Sequence, residues 1–157
     1  MIQRIQSLLL LLAAICLIIA VFMPIATITT DNAQYLFTSW SLRLNIENGD
    51  VIFPTYYIGV MQIILAALSF ITIFFYKNRA TQSKMCIAGI VINFILLILI
   101  LYVYPDNLFG KLYLLKDSQL FYSLWTILSI ASLGLLFLAN KFIKKDEKKV
   151  READRLR

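Results

Sequence analysis

Four stretches of this chain, residues 8–28, 54–76, 85–104 and 120–139, carry no Asp, Glu, Lys, Arg or His. Each holds 20 to 23 residues, and about 20 residues at about 1.5 Å rise cross a hydrocarbon core of roughly 30 Å. Their apolar residues show no amphipathic period of the kind a water-soluble bundle needs. The chain is 61% hydrophobic over 157 residues, against about 45–50% apolar in soluble chains, so only a bilayer can accommodate its apolar surface. Backbone groups in hydrocarbon must bond internally, which leaves helices or a closed barrel. Barrel strands need about ten residues each with in–out alternation, a pattern these stretches lack. The reading is an all-α membrane protein: one domain over 1–157, built as a four-transmembrane-helix bundle.

The prolines and a serine mark expected boundaries. Pro54 suits a first helical turn, Pro105 is expected to stop the third span at Tyr104, and Ser118 suits an N-cap for the fourth. Pro24 falls near the end of the first span, where a kink is tolerated. A cleaved signal peptide is the alternative reading of the first span. Its apolar run exceeds the usual length of about 7–15 residues, and Pro24-Ile25-Ala26-Thr27 offers no small-x-small site.

Basic residues set the expected orientation. Arg4, Lys77, Arg79 and Lys84 lie on one side with Lys141, Lys144, Lys145, Lys148, Lys149, Arg151, Arg155 and Arg157, twelve in all; the other side holds only Arg43, Lys111 and Lys116. The rich side is expected to be cytoplasmic, which puts both termini there, in a multi-pass protein of a bacterial inner membrane. Trp40, Trp125 and seven of the eight tyrosines, Tyr56 and Tyr57 among them, fall toward the opposite face. Lipid anchoring accounts for such an aromatic belt; a ligand surface is the alternative.

In the first external loop, 29–53, residues 35–46 alternate as a strand does around Trp40, Leu42, Leu44 and Ile46, and the chain then turns through Glu47-Asn48-Gly49-Asp50. Asn-Gly is a strong hairpin signal, so a small β-hairpin is expected to cap the bundle, with Val51-Ile52-Phe53 returning. The second loop, 106–119, mixes apolar residues with two lysines and reads as an interfacial segment. The tail, 141–157, has eight basic and four acidic residues and no Gly or Pro. Glu147 with Arg151 and Lys148 with Glu152 sit at helical spacing, so the fourth helix is expected to continue into the cytoplasm. Its charge suits anionic lipid or a protein. Nucleic acid is not an expected partner, with ribosomal RNA the one exception left open.

Much chemistry lacks its usual residues. With no histidine in the chain, histidine-ligated haem, most zinc sites and Ser-His catalysis have no candidates. Cys16 and Cys86 form no CxxC pair and read as packing thiols. The spans lack the intramembrane charges that mark pumps and proton-coupled transporters, and there is no Walker or dinucleotide motif. Neither a metal, a cofactor nor an enzymatic activity is therefore expected. Gln62, Ser69, Thr72, Asn93, Ser129 and Ser132 lie at membrane depth. Gln62 and Asn93 are the candidate intramembrane contacts, read as helix–helix hydrogen bonds or, alternatively, ligand contacts.

The two ends carry a resemblance. Met1-Ile2-Gln3-Arg4-Ile5-Gln6 leads into Leu-rich sequence and Ala13-Ala14; Leu138-Ala139-Asn140-Lys141 is followed by Lys145-Asp146-Glu147, Val150-Arg151 and Asp154-Arg155-Leu156-Arg157. This pattern resembles the domain of unknown function 4293 family, small four-span membrane proteins of Bacteroidota. The resemblance implies an inner-membrane protein of such a bacterium and lends no catalytic residues. It also draws Gln3, Arg4, Lys145, Asp146, Glu147, Arg151, Asp154, Arg155 and Arg157 together as a candidate partner-binding face. Four spans with a strand-bearing first loop resemble a claudin-like architecture in topology alone, since that family's loop cysteines are missing. The expected function is a non-enzymatic accessory or scaffolding subunit of an inner-membrane assembly. The alternative is a carrier or binder of a lipid or small apolar molecule through an outward-facing cavity. Reporter fusions test the orientation: a cytoplasm-dependent fluorophore at the C-terminus should fluoresce, and the same fusion in loop 29–53 should stay dark.

Overall fold

The computed structural model describes residues 2–30, 33–45, 50–106 and 119–155. Four helices are joined to a five-stranded sheet: α1 (Ile2–Phe22), β1 (Pro24–Thr30), β2 (Ala33–Thr38), β3 (Ser41–Leu44), β4 (Val51–Pro54), α2 (Tyr56–Phe74), α3 (Arg79–Ile98), β5 (Gln119–Tyr122) and α4 (Thr126–Arg155). A 3₁₀ turn, Phe75–Lys77, closes α2, and a π-helical turn, Leu99–Val103, continues α3.

This corrects the all-α expectation. The sheet is antiparallel throughout, in the order β4-β3-β2-β1-β5, so it is much larger than a hairpin. It draws four strands from the chain between α1 and α2 and a fifth from just before α4. The expected first span, 8–28, runs too far: α1 ends at Phe22 and Pro24 opens β1. Proline disfavours helix in the residue before it and is tolerated at the first position of a strand. Ile25, Thr27, Ile28, Thr29 and Thr30 are β-branched and suit a pleated surface. The expected strand over 35–46 breaks at Ser39-Trp40 into β2 and β3. The fourth span begins at Thr126 rather than 120, because 119–122 pairs with β1. Pro54 closes β4 instead of opening a helix, and helix geometry passes through Pro105 to Asp106. The Asn48-Gly49 turn, Ser118 and nearly all of the second external loop lie outside the described residues.

All four helices are long and apolar enough to cross a membrane. They close into a ring in which α1 packs on α2 and α4, and α3 packs on the same two. Their outward faces are apolar, with Phe22, Ile64, Phe74, Phe94, Ile127 and Phe137 exposed, while Gln6, Gln62, Ser69, Thr72, Gln82, Ser83, Asn93, Ser129, Ser132 and Asn140 are buried. Apolar-out and polar-in is the arrangement a hydrocarbon solvent selects. Two apolar clusters pack the rest. At the sheet end Ile28, Phe37 and Leu42 meet Leu17, Ile58, Leu65 and Leu96; at the other end Leu10, Ala13, Cys86, Leu136, Ala139 and Ile143 join α1, α3 and α4.

Two latches fix the sheet to the helices. A register shift between Pro24 and Ala26 makes a bulge at Ile25, and bulges re-aim backbone groups. The Ile25 carbonyl accepts from Ser123 N–H at 2.9 Å and from Thr126 Oγ1 at 2.6 Å, which ties β1 to the start of α4. On the other side the β2–β3 turn sits on the start of α2. Thr38 accepts from Ser41 N–H through its hydroxyl, Thr55 Oγ1 donates to the Thr38 carbonyl at 2.8 Å, and Gly59 N–H donates to the Ser39 carbonyl at 3.1 Å. A Cβ at Gly59 would stand 3.2 Å from the Ser39 carbonyl oxygen and from the Trp40 ring, so any side chain there has to push the turn and Trp40 back from the helix. Gly59→Leu should therefore lift Trp40 and destabilise the protein by about 1–3 kcal/mol, as overpacking does. A lowered Tm in detergent with red-shifted tryptophan emission checks this.

Candidate functional site

The interior of the bundle is bonded to itself. Gln62 has no exposed surface, and its Oε1 accepts from Ser39 Oγ in the β2–β3 turn at 2.8 Å. Asn93, equally buried, donates through Nδ2 to Ser132 Oγ at 2.8 Å, and Ser132 donates on to the Ser129 carbonyl at 2.7 Å. The two intramembrane candidates are thus not partners: Gln62 holds the sheet and Asn93 joins α3 to α4. Nearer the tail, Ser83 Oγ donates to Asn140 Oδ1 at 3.0 Å and Gln82 Nε2 to the Thr72 carbonyl at 3.2 Å. Ser69 and Thr72 donate to carbonyls four residues earlier in their own helix. Gln62 Nε2, Asn93 Oδ1 and Gln6 Nε2 find no partner among the described residues. A cavity of about 10 Å³ lies among Gln62, Trp125, Thr126 and Ser129.

The aromatic belt does not close around one space. Trp40 lies over Gly59, and Trp125 borders the small cavity beside Gln62. Tyr56 and Tyr57, at the start of α2, form a pair with ring centroids 4.1 Å apart, and the Tyr56 hydroxyl donates to that of Tyr57 at 2.6 Å. They line a separate pocket of about 440 Å³ with Phe53, Pro54, Leu99, Val103 and Tyr104. The π-helical turn supplies Leu99 and Val103. It interrupts the regular ladder, and the Leu101 carbonyl in it accepts from the Tyr122 hydroxyl of β5 at 3.0 Å. Burial first, then the Asp106 carboxylate and Tyr102, pushes the Tyr122 phenol up from its ordinary value. A phenol is protonated at neutral pH in any case, and the shift extends its ability to donate to more alkaline pH.

At the tail end α4 runs unbroken to Arg155. Arg79, at the start of α3, donates to the Asp146 carbonyl at 3.0 Å and stands 3.8 Å from its carboxylate. Lys145 is exposed and Glu147 half-buried. Lys148 and Glu152 form an exposed pair at 3.9 Å, of the kind that contributes little. Arg151, Asp154 and Arg155 lie on the helix, and Gln3 and Arg4 in the first turn of α1, which starts at this same end; the side chains of these five and all of Arg157 lie outside the described residues. A third surface is an apolar groove of about 640 Å³ between the outward faces of α3 and α4, lined by residues such as Phe94, Ile130, Gly134 and Phe137.

Sequence reasoning missed Arg79 as an anchor, counting it only as a topology charge, and missed Phe53, Leu99, Val103 and Tyr104 as pocket walls. An arginine in the first turn of α3 with acids in the tail was a usable signal. The π-helical turn has none in the sequence.

The arrangement defines a membrane protein with four candidate spans and a five-stranded antiparallel cap. A family model for a domain of unknown function (DUF4293) matches residues 2–156, and the chain belongs to that family. No curated protein matches it.

Asn93→Leu removes one interhelical bond together with an acceptor that has no described partner. It should cost less than about 2 kcal/mol, measurable by unfolding in mixed micelles.

Proposed function

We propose that this chain is a non-enzymatic accessory or scaffolding subunit of a bacterial inner-membrane assembly, with both termini in the cytoplasm and a protein partner on the α4 extension. The observation that carries this reading is the anchored projection of α4. One helix extends from Thr126 to Arg155, held against α3 through Arg79 and Asp146. Lys141, Lys144, Lys145, Lys148 and Lys149 are exposed, and at about 3.6 residues per turn they share an arc of roughly 140°. Ile143, buried, and Asp146, bound by Arg79, lie on the opposite side. The basic face thus has a fixed direction, away from the bundle.

Anionic lipid accounts for its first turn only. From Lys141 to Arg155 the helix extends about 21 Å, and attraction to lipid headgroups fades over about 8 Å at physiological salt. A protein carrying acidic residues suits the outer turns, whereas a nucleic acid would be repelled by Glu152 within the same arc. Carriage across the membrane has less support: the space by Gln62 and Trp125 in the bundle is about 10 Å³, and the tyrosine pocket lies apart from it.

Gentle extraction from native membranes, with a tag in the first loop, tests the proposal. Changing Lys144, Lys145, Lys148 and Lys149 to Gln should remove a stoichiometric co-purifying protein while orientation is retained. An unchanged set of partners would refute the docking role.

A further inference from the structure

The pocket between β4, the start of α2 and the end of α3 differs in kind from the apolar groove between α3 and α4. Its walls are alkyl and aromatic, from Phe53, Pro54, Leu99 and Val103, but three phenols, Tyr56, Tyr57 and Tyr104, also line it. Its volume of about 440 Å³ falls in the usual range for small-molecule sites, about 300–1,000 Å³. Among the described residues lining it, none is charged, so it offers a charged head no counter-charge. The phenols are also directional. Tyr56 donates to Tyr57, so the Tyr57 oxygen is accepting while its own proton is available, and accepting strengthens a hydroxyl as a donor. Tyr104, 6.1 Å from Phe37 between ring centroids, joins the pocket to the sheet core. The π-helical turn supplies two of the walls, and such turns recur at functional sites. The position, at the sheet ends of two spans, is where a lipid-like molecule changes from polar head to hydrocarbon chain.

We infer that this pocket binds an uncharged amphiphile whose head presents a carbonyl acceptor to the Tyr57 hydroxyl and whose hydrocarbon chain runs toward the bilayer past Leu99 and Val103. The inference is independent of the tail: it needs no partner protein and survives if the tail binds nothing. A glycerolipid ester and a quinone share this chemistry, so the probes separate them.

The experiment is native mass spectrometry of the full chain in detergent. It is titrated separately with dioctanoylglycerol, with decylubiquinone and with dioctanoyl phosphatidylglycerol as the anionic comparator. One saturable equivalent of a neutral probe is expected, with the comparator bound more weakly. Saturation by dioctanoylglycerol alone identifies an ester lipid, and by decylubiquinone alone a quinone. Tyr57→Phe should weaken the bound probe about fivefold, the usual effect of losing one hydrogen bond. Val103→Trp should block it by filling the space, with Tm confirming that each variant folds. Should Val103→Trp not fold, Leu99→Phe takes its place. Equal binding of the anionic comparator, unsaturable adducts, or unchanged binding in either Tyr57→Phe or the filling variant would overturn the inference.

Discussion

Hydrocarbon offers no hydrogen bonds, and that constraint organises the whole molecule. A polar group carried into the bundle gains by pairing inside it, and several of the buried amides and hydroxyls double as contacts between helices. Asn93 to Ser132 links α3 to α4, Ser83 to Asn140 does so again nearer the tail, and Gln82 reaches the carbonyl of Thr72 across the α2–α3 turn. The same need governs the helix ends. Where α1 stops, the chain enters a sheet whose ladder satisfies its backbone. The bulged carbonyl of Ile25 takes two bonds from the start of α4. Cap and bundle are therefore one structure, with apolar residues from both meeting in a single cluster.

Outside this bonded interior the structure presents distinct surfaces. Three are set out on the scaffold: a tyrosine-lined pocket under the sheet edge, an apolar groove along α3 and α4, and a lysine face on the α4 projection. Each is held by a neighbouring device in the fold. The π-helical turn shapes the pocket, open space over Gly134 leaves the groove unfilled, and Arg79 sets the direction of the projecting helix. The tail and the pocket lie at opposite ends of the spans, so a partner at one leaves the other accessible.

The four spans were legible because length and lack of charge are what a bilayer selects, although the first helix ends six residues early and the fourth starts six residues late. The sheet was only half legible. A run such as Pro24-Ile25-Ala26-Thr27-Ile28 is as apolar as a helix end, and hydropathy does not separate the two; the β-branched residues and the proline were the evidence for a strand. Leu120-Phe121-Tyr122 pairs with β1 across more than 90 residues of sequence, and no local pattern reports that partner. Among the site residues, burial of Gln62 and Asn93 followed from their depth, but their partners did not. Whether Ser39 or another hydroxyl meets Gln62 depends on where the β2–β3 turn lands. The aromatic belt named Tyr56 and Tyr57 but grouped them with Trp40 and Trp125, because sequence gives the end of a span and not the face. The terminal motifs identified the family without identifying a mechanism.

Water access to the interior decides whether this is a closed scaffold. With Cys16 and Cys86 replaced by Ala, single cysteines can be placed by Ser69→Cys and Ser132→Cys, with Asp50→Cys, exposed and outside every candidate span, as the reference, and treated with a membrane-impermeant methanethiosulfonate. A closed bundle predicts labelling at position 50 and none at 69 or 132 from either side of the membrane. Ready labelling of Ser132→Cys would mean that water reaches the centre of the bundle, and the closed-scaffold account would give way to a conducting or transporting one.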